Sequence, residues 1–261
     1  MVLTFPSMSL TSKITLVTGA GSGIGAAIAR RFGASGAFVY VVDIDETKGN
    51  ATVADLISGG QRATFLRLDV SEAQACDELA RQVLEKSGRL DVLVNNAGIG
   101  HVGTILQTTA EDLDRLYAVN VRGVFNLSRA FIGSMIDRGS GSIINMASIA
   151  GIVGITDRAA YTTTKFAVVG LTKAMALDHA KAGVRINCIC PARVETPFVK
   201  ARIAEYPDPE KAYREMSMSQ PIGRMATPDE IAAAALYFAQ DESAFVTGTA
   251  FVIDGAFSAG R

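Results

Sequence analysis

The sequence predicts a single α/β domain built on a doubly wound parallel sheet of about seven strands, with helices on both faces. Short runs of β-branched and aromatic residues alternate with longer stretches of helical periodicity along the whole chain. The strand candidates are apolar on both faces, which is typical of parallel strands that helices cover on both sides. No Pro- or Ser-rich linker divides the 261 residues, so we expect one domain over residues 10–261 after a lead-in at residues 1–9.

Strands and helices follow each other in a regular order. Strands are expected at residues 14–17, 38–42, 64–68, 92–94, 142–146, 184–188 and 250–253. Helices are expected at residues 25–32, 46–57, 72–85, 110–136 and 159–180. The crossovers that contain them should be right-handed, as in nearly all parallel sheets.

The segment at residues 195–227 breaks this alternation. Five of the seven prolines fall between residues 197 and 228. A long connection inside a compact domain is more often a lid or a binding loop than a connection without a function. This one follows the end of a strand, where open α/β sheets hold their ligands. We therefore expect a substrate-binding lid, and a surface excursion with short helices is the alternative.

Charge and composition exclude several classes of protein. The 25 Lys and Arg residues oppose 26 Asp and Glu residues, so no basic excess favours nucleic acid. Three cysteines, an odd number, indicate a reducing compartment rather than a disulfide scaffold. Cys188 and Cys190 have no further Cys or His partners, so no metal site is expected. The chain has no signal-peptide pattern and no apolar run of about 18 residues, so we expect a cytoplasmic protein without membrane contact.

A glycine-rich turn follows the first strand and leads directly into the first helix. Residues 18–25 have the sequence TGAGSGIG. Such a turn lets backbone N–H groups approach a pyrophosphate, and the helix N-terminus adds partial positive charge. Glycines also serve ordinary tight turns, but here Asp43 ends the next strand, 18 residues after Gly25. That spacing is typical of a carboxylate that binds a ribose diol, so the sequence predicts a dinucleotide site of the Rossmann type.

Asp43 also predicts NAD rather than NADP as the cofactor. A carboxylate about 4 Å from a 2′-phosphate costs on the order of 4 kcal/mol per charge pair at an effective dielectric constant of about 20. That energy corresponds to roughly three decades of discrimination. Ser22 in the turn and Ile44 after the aspartate carry no charge, so we expect no compensating cation nearby. The alternative is that Asp43 is an ordinary polar residue at a strand end.

Further motifs follow in order along the chain: NNAG at residues 95–98, Asn120, Ser148, and YTTTK at residues 161–165. Together with the glycine turn, they make the chain resemble the short-chain dehydrogenase/reductase family from about Leu10 to the C-terminus. The resemblance implies a nicotinamide cofactor, an assembly that is often a homotetramer, and a catalytic set of Asn120, Ser148, Tyr161 and Lys165.

The resemblance also implies the cofactor contacts. Asp69 and Val70 should flank the adenine, and residues 96–98 should line the ribose. The backbone of Val194 and the hydroxyl of Thr196 should hold the nicotinamide carboxamide and the neighbouring phosphate. The full set of expected cofactor-binding residues is Gly19, Ser22, Gly23, Ile24, Gly25, Asp43, Ile44, Asp69, Val70, Asn96, Ala97, Gly98, Tyr161, Lys165, Val194 and Thr196.

Tyr161 and Lys165 suit acid–base chemistry on physical grounds as well. They lie four residues apart on a predicted helix and therefore on one face of it. A free tyrosine titrates at about pH 10, and a neighbouring ammonium favours the ionised form, so Tyr161 is the expected general base for alcohol oxidation. Such a group contributes about 10² to 10⁴ in rate. Ser148 is expected to position the reacting oxygen, and Asn120 to hold a water that links Lys165 to solvent.

Arg158 and Arg193 are expected at the reacting end of the site. Two guanidiniums suit an anionic or polyhydroxylated substrate, because the planar fork binds carboxylates with two hydrogen bonds. The alternative is that each pairs with a local carboxylate such as Asp157 or Glu195. The string PARVETPF at residues 191–198 resembles family members that oxidise sugars or deoxy-sugar acids. His101 is either a further substrate contact or a surface group.

The sequence therefore predicts an NAD-dependent oxidoreductase that oxidises a secondary alcohol of a sugar or sugar acid. A hydroxy-acid dehydrogenase, such as one for 3-hydroxybutyrate, is the nearest rival. A 3-oxoacyl-carrier-protein reductase is disfavoured by Asp43, because such enzymes usually favour NADP. A nucleotide-sensing binding protein and a methyltransferase are rivals from other classes, and the intact catalytic set argues against both. A tetramer would form through the apolar helices at residues 110–136 and 159–180. The alternative is that the apolar faces of these helices pack in the core of the monomer.

Overall fold

Seven parallel strands form the centre of the computed structural model, which describes residues 9–260. The strands are β1 (Ile14–Thr18), β2 (Phe38–Asp43), β3 (Arg62–Arg67), β4 (Val92–Asn95), β5 (Gly141–Met146), β6 (Val184–Pro191) and β7 (Ala250–Ile253). Their order in the sheet is β3-β2-β1-β4-β5-β6-β7. The predicted doubly wound α/β sheet is thus confirmed, while most of the predicted lead-in at residues 1–9 lies outside the described residues.

Helices cover both faces of the sheet. In the described part of the chain the α-helices are α1 (Gly23–Ala34), α2 (Glu46–Ser58), α3 (Ala73–Ser87), α4 (Ala110–Tyr117), α5 (Gly123–Arg138), α6 (Ala159–His179), α7 (Pro197–Ala204), α8 (Pro209–Met218) and α9 (Pro228–Ala239). Side chains of α1, α2 and α9 form the core on one face, and those of α3, α5 and α6 form the core on the other. The strand order reverses between β1 and β4, which leaves a crevice at the carboxyl ends of the strands.

Two strands differ from their predicted bounds by more than one residue. β3 begins at Arg62 rather than at residue 64, and β6 continues to Pro191 rather than ending at residue 188. β3 is an edge strand without a buried residue, so polar side chains belong to it and the apolar run marks only part of it. The last four residues of β6 pair with β7, which keeps them extended as far as the proline.

The helix predicted at residues 110–136 is divided in two. A π-helical turn at Ala118–Arg122 joins α4 to α5. Such a turn inserts one extra residue into the helix and rotates the side chains that follow it. The apolar spacing of the sequence does not reveal it, and Asn120 lies in its middle.

The proline-rich segment at residues 195–227 contains two short helices, α7 and α8. Two of its four prolines, Pro197 and Pro209, begin helices rather than interrupt them, since each occupies a first turn, where a missing N–H costs nothing. The ends of the segment are fastened together, because the Glu195 N–H donates to the Ala226 carbonyl at 2.8 Å. Short helices therefore describe its local structure, and its action as a lid stays a prediction.

No helix within residues 9–260 is long and apolar enough to cross a membrane. The same residues contain no group of three or more His, Cys, Asp or Glu side chains placed to hold a metal ion.

Candidate active site

A cleft of about 630 Å³ opens at the carboxyl ends of the strands, where the strand order reverses. Three residues predicted for the site, Gly25, Asn120 and His101, are not part of its lining. The predicted site residues that line the cleft are Gly19, Ser22, Gly23, Ile24, Asp43, Ile44, Asp69, Val70, Asn96, Ala97, Gly98, Ser148, Arg158, Tyr161, Lys165, Arg193, Val194 and Thr196.

The glycine turn forms one wall of the cleft. Gly19 and Gly23 have φ angles of +62° and +54°, a region that favours glycine. Gly25 lies behind them, where a Cβ would approach the Gly19 carbonyl oxygen to 2.2 Å. Helix α1 begins at Gly23 without a side-chain cap and without an acidic residue in its first turn. The N–H groups at its N-terminus therefore face the cleft with their partial positive charge uncompensated by protein side chains.

Asp43 ends β2 at the edge of the cleft and is held there by backbone groups. The Gly21 N–H donates to Oδ2 at 2.8 Å, and the Asp45 N–H donates to Oδ1 at 3.0 Å. The expectation that no cation lies nearby was wrong, because Lys48 on α2 lies within electrostatic range. Lys48 is paired mainly with Asp45, at 2.8 Å, and that hydrogen bond, with a smaller effect of Asp43, raises the pKa of Lys48.

Tyr161 and Lys165 face the cleft from one side of α6, as their spacing predicts. The Lys165 Nζ lies 5.6 Å from the centre of the Tyr161 ring and donates to the Met146 carbonyl at 2.9 Å. Ser148 follows β5, and its Oγ accepts a hydrogen bond from the Ala150 N–H at 3.1 Å. A positive charge, a phenol and a serine hydroxyl thus line the same cleft.

Asn120 is buried directly beneath this group. Its Oδ1 accepts from the Ile99 N–H at 2.8 Å, and its Nδ2 donates to the Ile99 carbonyl at 3.0 Å. A further hydrogen bond of 3.2 Å joins Nδ2 to the Thr164 hydroxyl on α6. The side chain therefore fastens the loop after β4 to the helix that carries Tyr161. The π-helical turn places it there, which is why helical periodicity alone does not show its orientation.

The loops around the cleft are cross-linked by the remaining motif residues. Asn96 donates from Nδ2 to the Thr18 carbonyl at 2.9 Å, which joins the ends of β4 and β1. Asp69 accepts from the Ser71 N–H at 2.9 Å. The Thr196 hydroxyl caps α7, and its Cγ2 would lie 3.3 Å from a Cβ at Gly23. The start of α7 is therefore close to the start of α1.

Arg158 and Arg193 reach the cleft without carboxylate partners. The Arg158 Nη1 donates to the His101 carbonyl at 2.8 Å, and the Arg193 Nε donates to the Ser219 hydroxyl at 3.2 Å. Neither takes part in an ion pair in the described part of the chain, and the nearby Glu195 is paired with a lysine at 3.1 Å. The alternative that each arginine pairs locally therefore finds no support. Burial lowers the pKa of both guanidiniums.

His101 lies beside the cleft rather than in its lining. Its Nε2 is 3.2 Å from the Thr108 hydroxyl, and its Nδ1 is 3.8 Å from Asp112 Oδ1 at the start of α4. Its backbone carbonyl, not its ring, contacts Arg158. The predicted substrate contact of the ring stays untested.

One lining residue with obvious chemistry was missed at the sequence level. Arg202 on α7 lines the cleft, and its buried Nε has no hydrogen-bond partner. Phe198 and Val199 of the same helix also line the cleft. The signal was available, since Thr196 and Pro197 are a helix-start pattern, and a helix from that point places residues three and four apart on one face.

Comparisons with known proteins agree with this geometry. A family model described as enoyl-(acyl carrier protein) reductase matches residues 19–258. The chain is 41% identical over 250 residues to dehydrogenase/reductase SDR family member 6 of Xenopus laevis, which covers 95% of this chain and 98% of that protein.

Two solved structures are also similar. Levodione reductase superposes with a TM-score of 0.93 at 33% identity, over 96% of this chain and 99% of that one. A candidate NAD(P)-dependent gluconate 5-dehydrogenase of Beutenbergia cavernae, with NADP bound at low occupancy, gives a TM-score of 0.90 at 33% identity over 97% and 99%. The chain therefore belongs to the short-chain dehydrogenase/reductase family, whose members are oxidoreductases that use NAD or NADP.

Proposed function

We propose that this protein is an NAD-dependent dehydrogenase that reversibly oxidises a secondary alcohol of a sugar or sugar acid. The observation that carries the proposal is the convergence of Tyr161, Lys165 and Ser148 in one cleft, with the ammonium 5.6 Å from the phenol ring. Arg158 and Arg193, which have no carboxylate partner among residues 9–260, favour an acid over a neutral sugar. The similar structure assigned to a gluconate dehydrogenase supports the same substrate class.

The residues of the cleft fit a nicotinamide dinucleotide. The uncapped N-terminus of α1 suits a pyrophosphate, and Asp43, fixed by two backbone N–H groups, offers its remaining lone pairs to a ribose diol. The contacts proposed for Asp69, Val70, Val194 and Thr196 come from the family resemblance and agree with their positions along the lining. When bound, the dinucleotide supplies the chemistry of hydride acceptance from the substrate carbon.

Tyr161 is the group proposed to take the hydroxyl proton during oxidation and to return it during reduction. The Lys165 ammonium lies 5.6 Å from the centre of the Tyr161 ring. Because the Ser148 oxygen already accepts a hydrogen bond from Ala150, its own proton is free to be donated to the substrate oxygen and to orient it. Asn120 positions the Ile99 loop against α6, and its proposed link to a water beside Lys165 is part of the same hypothesis.

The first test is the initial rate of NADH formation with neutral sugars, aldonic and deoxy-aldonic acids and short hydroxy acids, each with NAD and NADP. Tyr161→Phe should lower kcat by about 10² or more while NADH binding, followed by fluorescence, is retained. Tyr213→Phe on α8 removes a half-exposed hydroxyl outside the cleft lining and is the matched control. Unchanged turnover in the Tyr161 variant would refute the mechanism.

The rivals give different results in the same assays. A 3-hydroxybutyrate-like dehydrogenase would turn over short hydroxy acids and leave sugar acids unchanged. A 3-oxoacyl-carrier-protein reductase would require the acyl carrier and would prefer NADP. A nucleotide-sensing protein would bind NADH without turnover in any of the panels.

We also propose a homotetramer, as the family resemblance implies. Helices α4, α5 and α6 expose large apolar side chains that the core does not use, which favours a partner surface over the core alternative. These side chains are Leu113, Tyr117, Phe125, Phe166 and Leu177.

A further inference from the structure

Three arginines come together at the substrate end of the cleft. Arg158 precedes α6, Arg193 follows β6, and Arg202 lies on α7, so three separate elements contribute one guanidinium each. The Arg202 Nε is buried and has no partner, so this donor is unsatisfied in the protein alone. A buried donor without a partner is costly, which makes it a sign of a ligand at this point.

The protein does not neutralise this cluster. None of the three arginines takes part in an ion pair within residues 9–260, and Glu195, two residues after Arg193, is paired with Lys200 at 3.1 Å. Burial lowers the pKa of Arg158, and the positive charges of Arg202 and Arg193 lower it further. The phenols of Tyr161 and Tyr206 are the other ionisable groups near Arg158.

We infer that the substrate of this site is a hydroxy acid that carries two negative charges. A single carboxylate forms a bidentate pair with one guanidinium and leaves two cations facing each other in a half-buried cleft. A second negative group would pair with one of them and supply an acceptor for the unsatisfied Arg202 donor. The second charge can be a carboxylate or a phosphate, and both provide the oxygen pairs that the guanidinium fork binds.

This inference rests on the proposed dehydrogenase function and is tested with pairs of alcohols in which one member carries one more anionic group. Malate is 3-hydroxybutyrate with its methyl group replaced by a carboxylate, and glucarate is gluconate with an oxidised terminal carbon. 6-Phosphogluconate adds a phosphate instead. The doubly charged member of at least one pair should have a kcat/KM about 10- to 100-fold higher, since one more charge-assisted contact is made. The pair that shows the preference identifies the source of the second charge.

Variants of α7 connect that preference to Arg202. Arg202→Gln should raise KM for the doubly charged member by about tenfold or more and change KM for the singly charged member much less. Arg202→Lys keeps the charge without the fork and should recover part of the loss. Lys211→Gln removes an exposed positive charge from the neighbouring helix α8, outside the cleft lining, and is the matched control, with the preference unchanged.

A binding measurement separates this inference from the proposed function. Glutarate has two carboxylates and no alcohol, and butyrate has one carboxylate, so their effects on Tm in the presence of NAD report binding without turnover. A Tm increase with glutarate, absent with butyrate and lost in Arg202→Gln, supports the inference even if no alcohol is oxidised. Two results would overturn the inference while leaving the dehydrogenase function intact. One is turnover of singly charged acids with no kcat/KM preference in any pair. The other is an equal increase in KM for both members of a pair in Arg202→Gln.

Discussion

The sharpest prediction concerns Asp43 and the choice between NAD and NADP. Asp43→Asn removes one negative charge while keeping the shape of the side chain. At about 4 Å and an effective dielectric constant of about 20, that charge opposes a 2′-phosphate by on the order of 4 kcal/mol, or roughly three decades. The variant should therefore raise kcat/KM for NADP by about 10² to 10³.

The same variant should also weaken the use of NAD. Both Asp43 oxygens accept backbone hydrogen bonds, from Gly21 at 2.8 Å and from Asp45 at 3.0 Å. An asparagine amide has one oxygen and one NH₂ group, so it satisfies only one of these donors and points a donor at the other. We expect kcat/KM for NAD to fall by about tenfold, the size of one lost hydrogen bond to a charged group.

Lys48 offers a second way to change the preference between NAD and NADP. It lies within range of Asp43 but is held by Asp45, so Asp45→Asn should free its ammonium and add to the gain for NADP in the double variant. Asp55→Asn removes an exposed carboxylate on the outer side of α2 and controls for net charge. A wild-type protein that uses both cofactors equally, or an unchanged ratio in Asp43→Asn, would refute the reasoning.

Three further predictions follow from the packing and the charges. Gly25→Ala should lower Tm strongly, because its Cβ would lie 2.2 Å from the Gly19 carbonyl oxygen, and an unchanged melting curve would contradict this. Glu230→Gln should lower the free energy of unfolding by about 0.5–1 kcal/mol at neutral pH, as expected for a solvent-exposed pair. The hydrogen bond from Arg224 holds the pKa of Glu230 at about 2. The difference in the free energy of unfolding between wild type and variant should therefore reach its full size above pH 4.5 and vanish as the pH falls through 2. Denaturant titrations in which the difference persists at lower pH would count against the pairing. Leu177 is 83% exposed on α6, and Leu177→Glu should shift the mass in light scattering towards smaller species, whereas a monomeric wild-type protein would rule out the tetramer.

The parts of the site that a short stretch of sequence encodes were predictable. The whole glycine turn lies within eight consecutive residues. Tyr161 and Lys165 lie side by side because one helix, α6, contains both. Lys48 was not anticipated, because its distance from Asp43 depends on how α2 returns against the end of β2. Asn120 was predicted as a member of the set, but its contacts depend on a π-helical turn that no periodicity shows.

Arg202 illustrates the same limit within a segment that was recognised as important. Interpreting the prolines as interruptions concealed the helix that Pro197 begins, and with it the face shared by Phe198, Val199 and Arg202. The fold itself was more robust to such errors, because β3 and β6 could be misplaced by a few residues without changing the pattern of buried strands and covering helices. Fold class depends on many positions that agree, whereas a site depends on a few that tertiary structure brings together.

Both ends of the cleft have hydrogen-bond donors that the described protein groups do not satisfy. The first turn of α1, which lines the cleft, has neither a side-chain cap nor an acidic residue. At the other end, Arg202 has a buried donor without a partner, and the cations around it have no carboxylates. Folding alone would favour satisfying these groups within the protein, because a buried polar group without a hydrogen-bond partner lowers stability. Under the proposed function, a dinucleotide pyrophosphate would complete one of these positive ends and an anionic substrate the other. In the same proposal Asp43, whose two oxygens accept backbone hydrogen bonds, discriminates among dinucleotides rather than among acids.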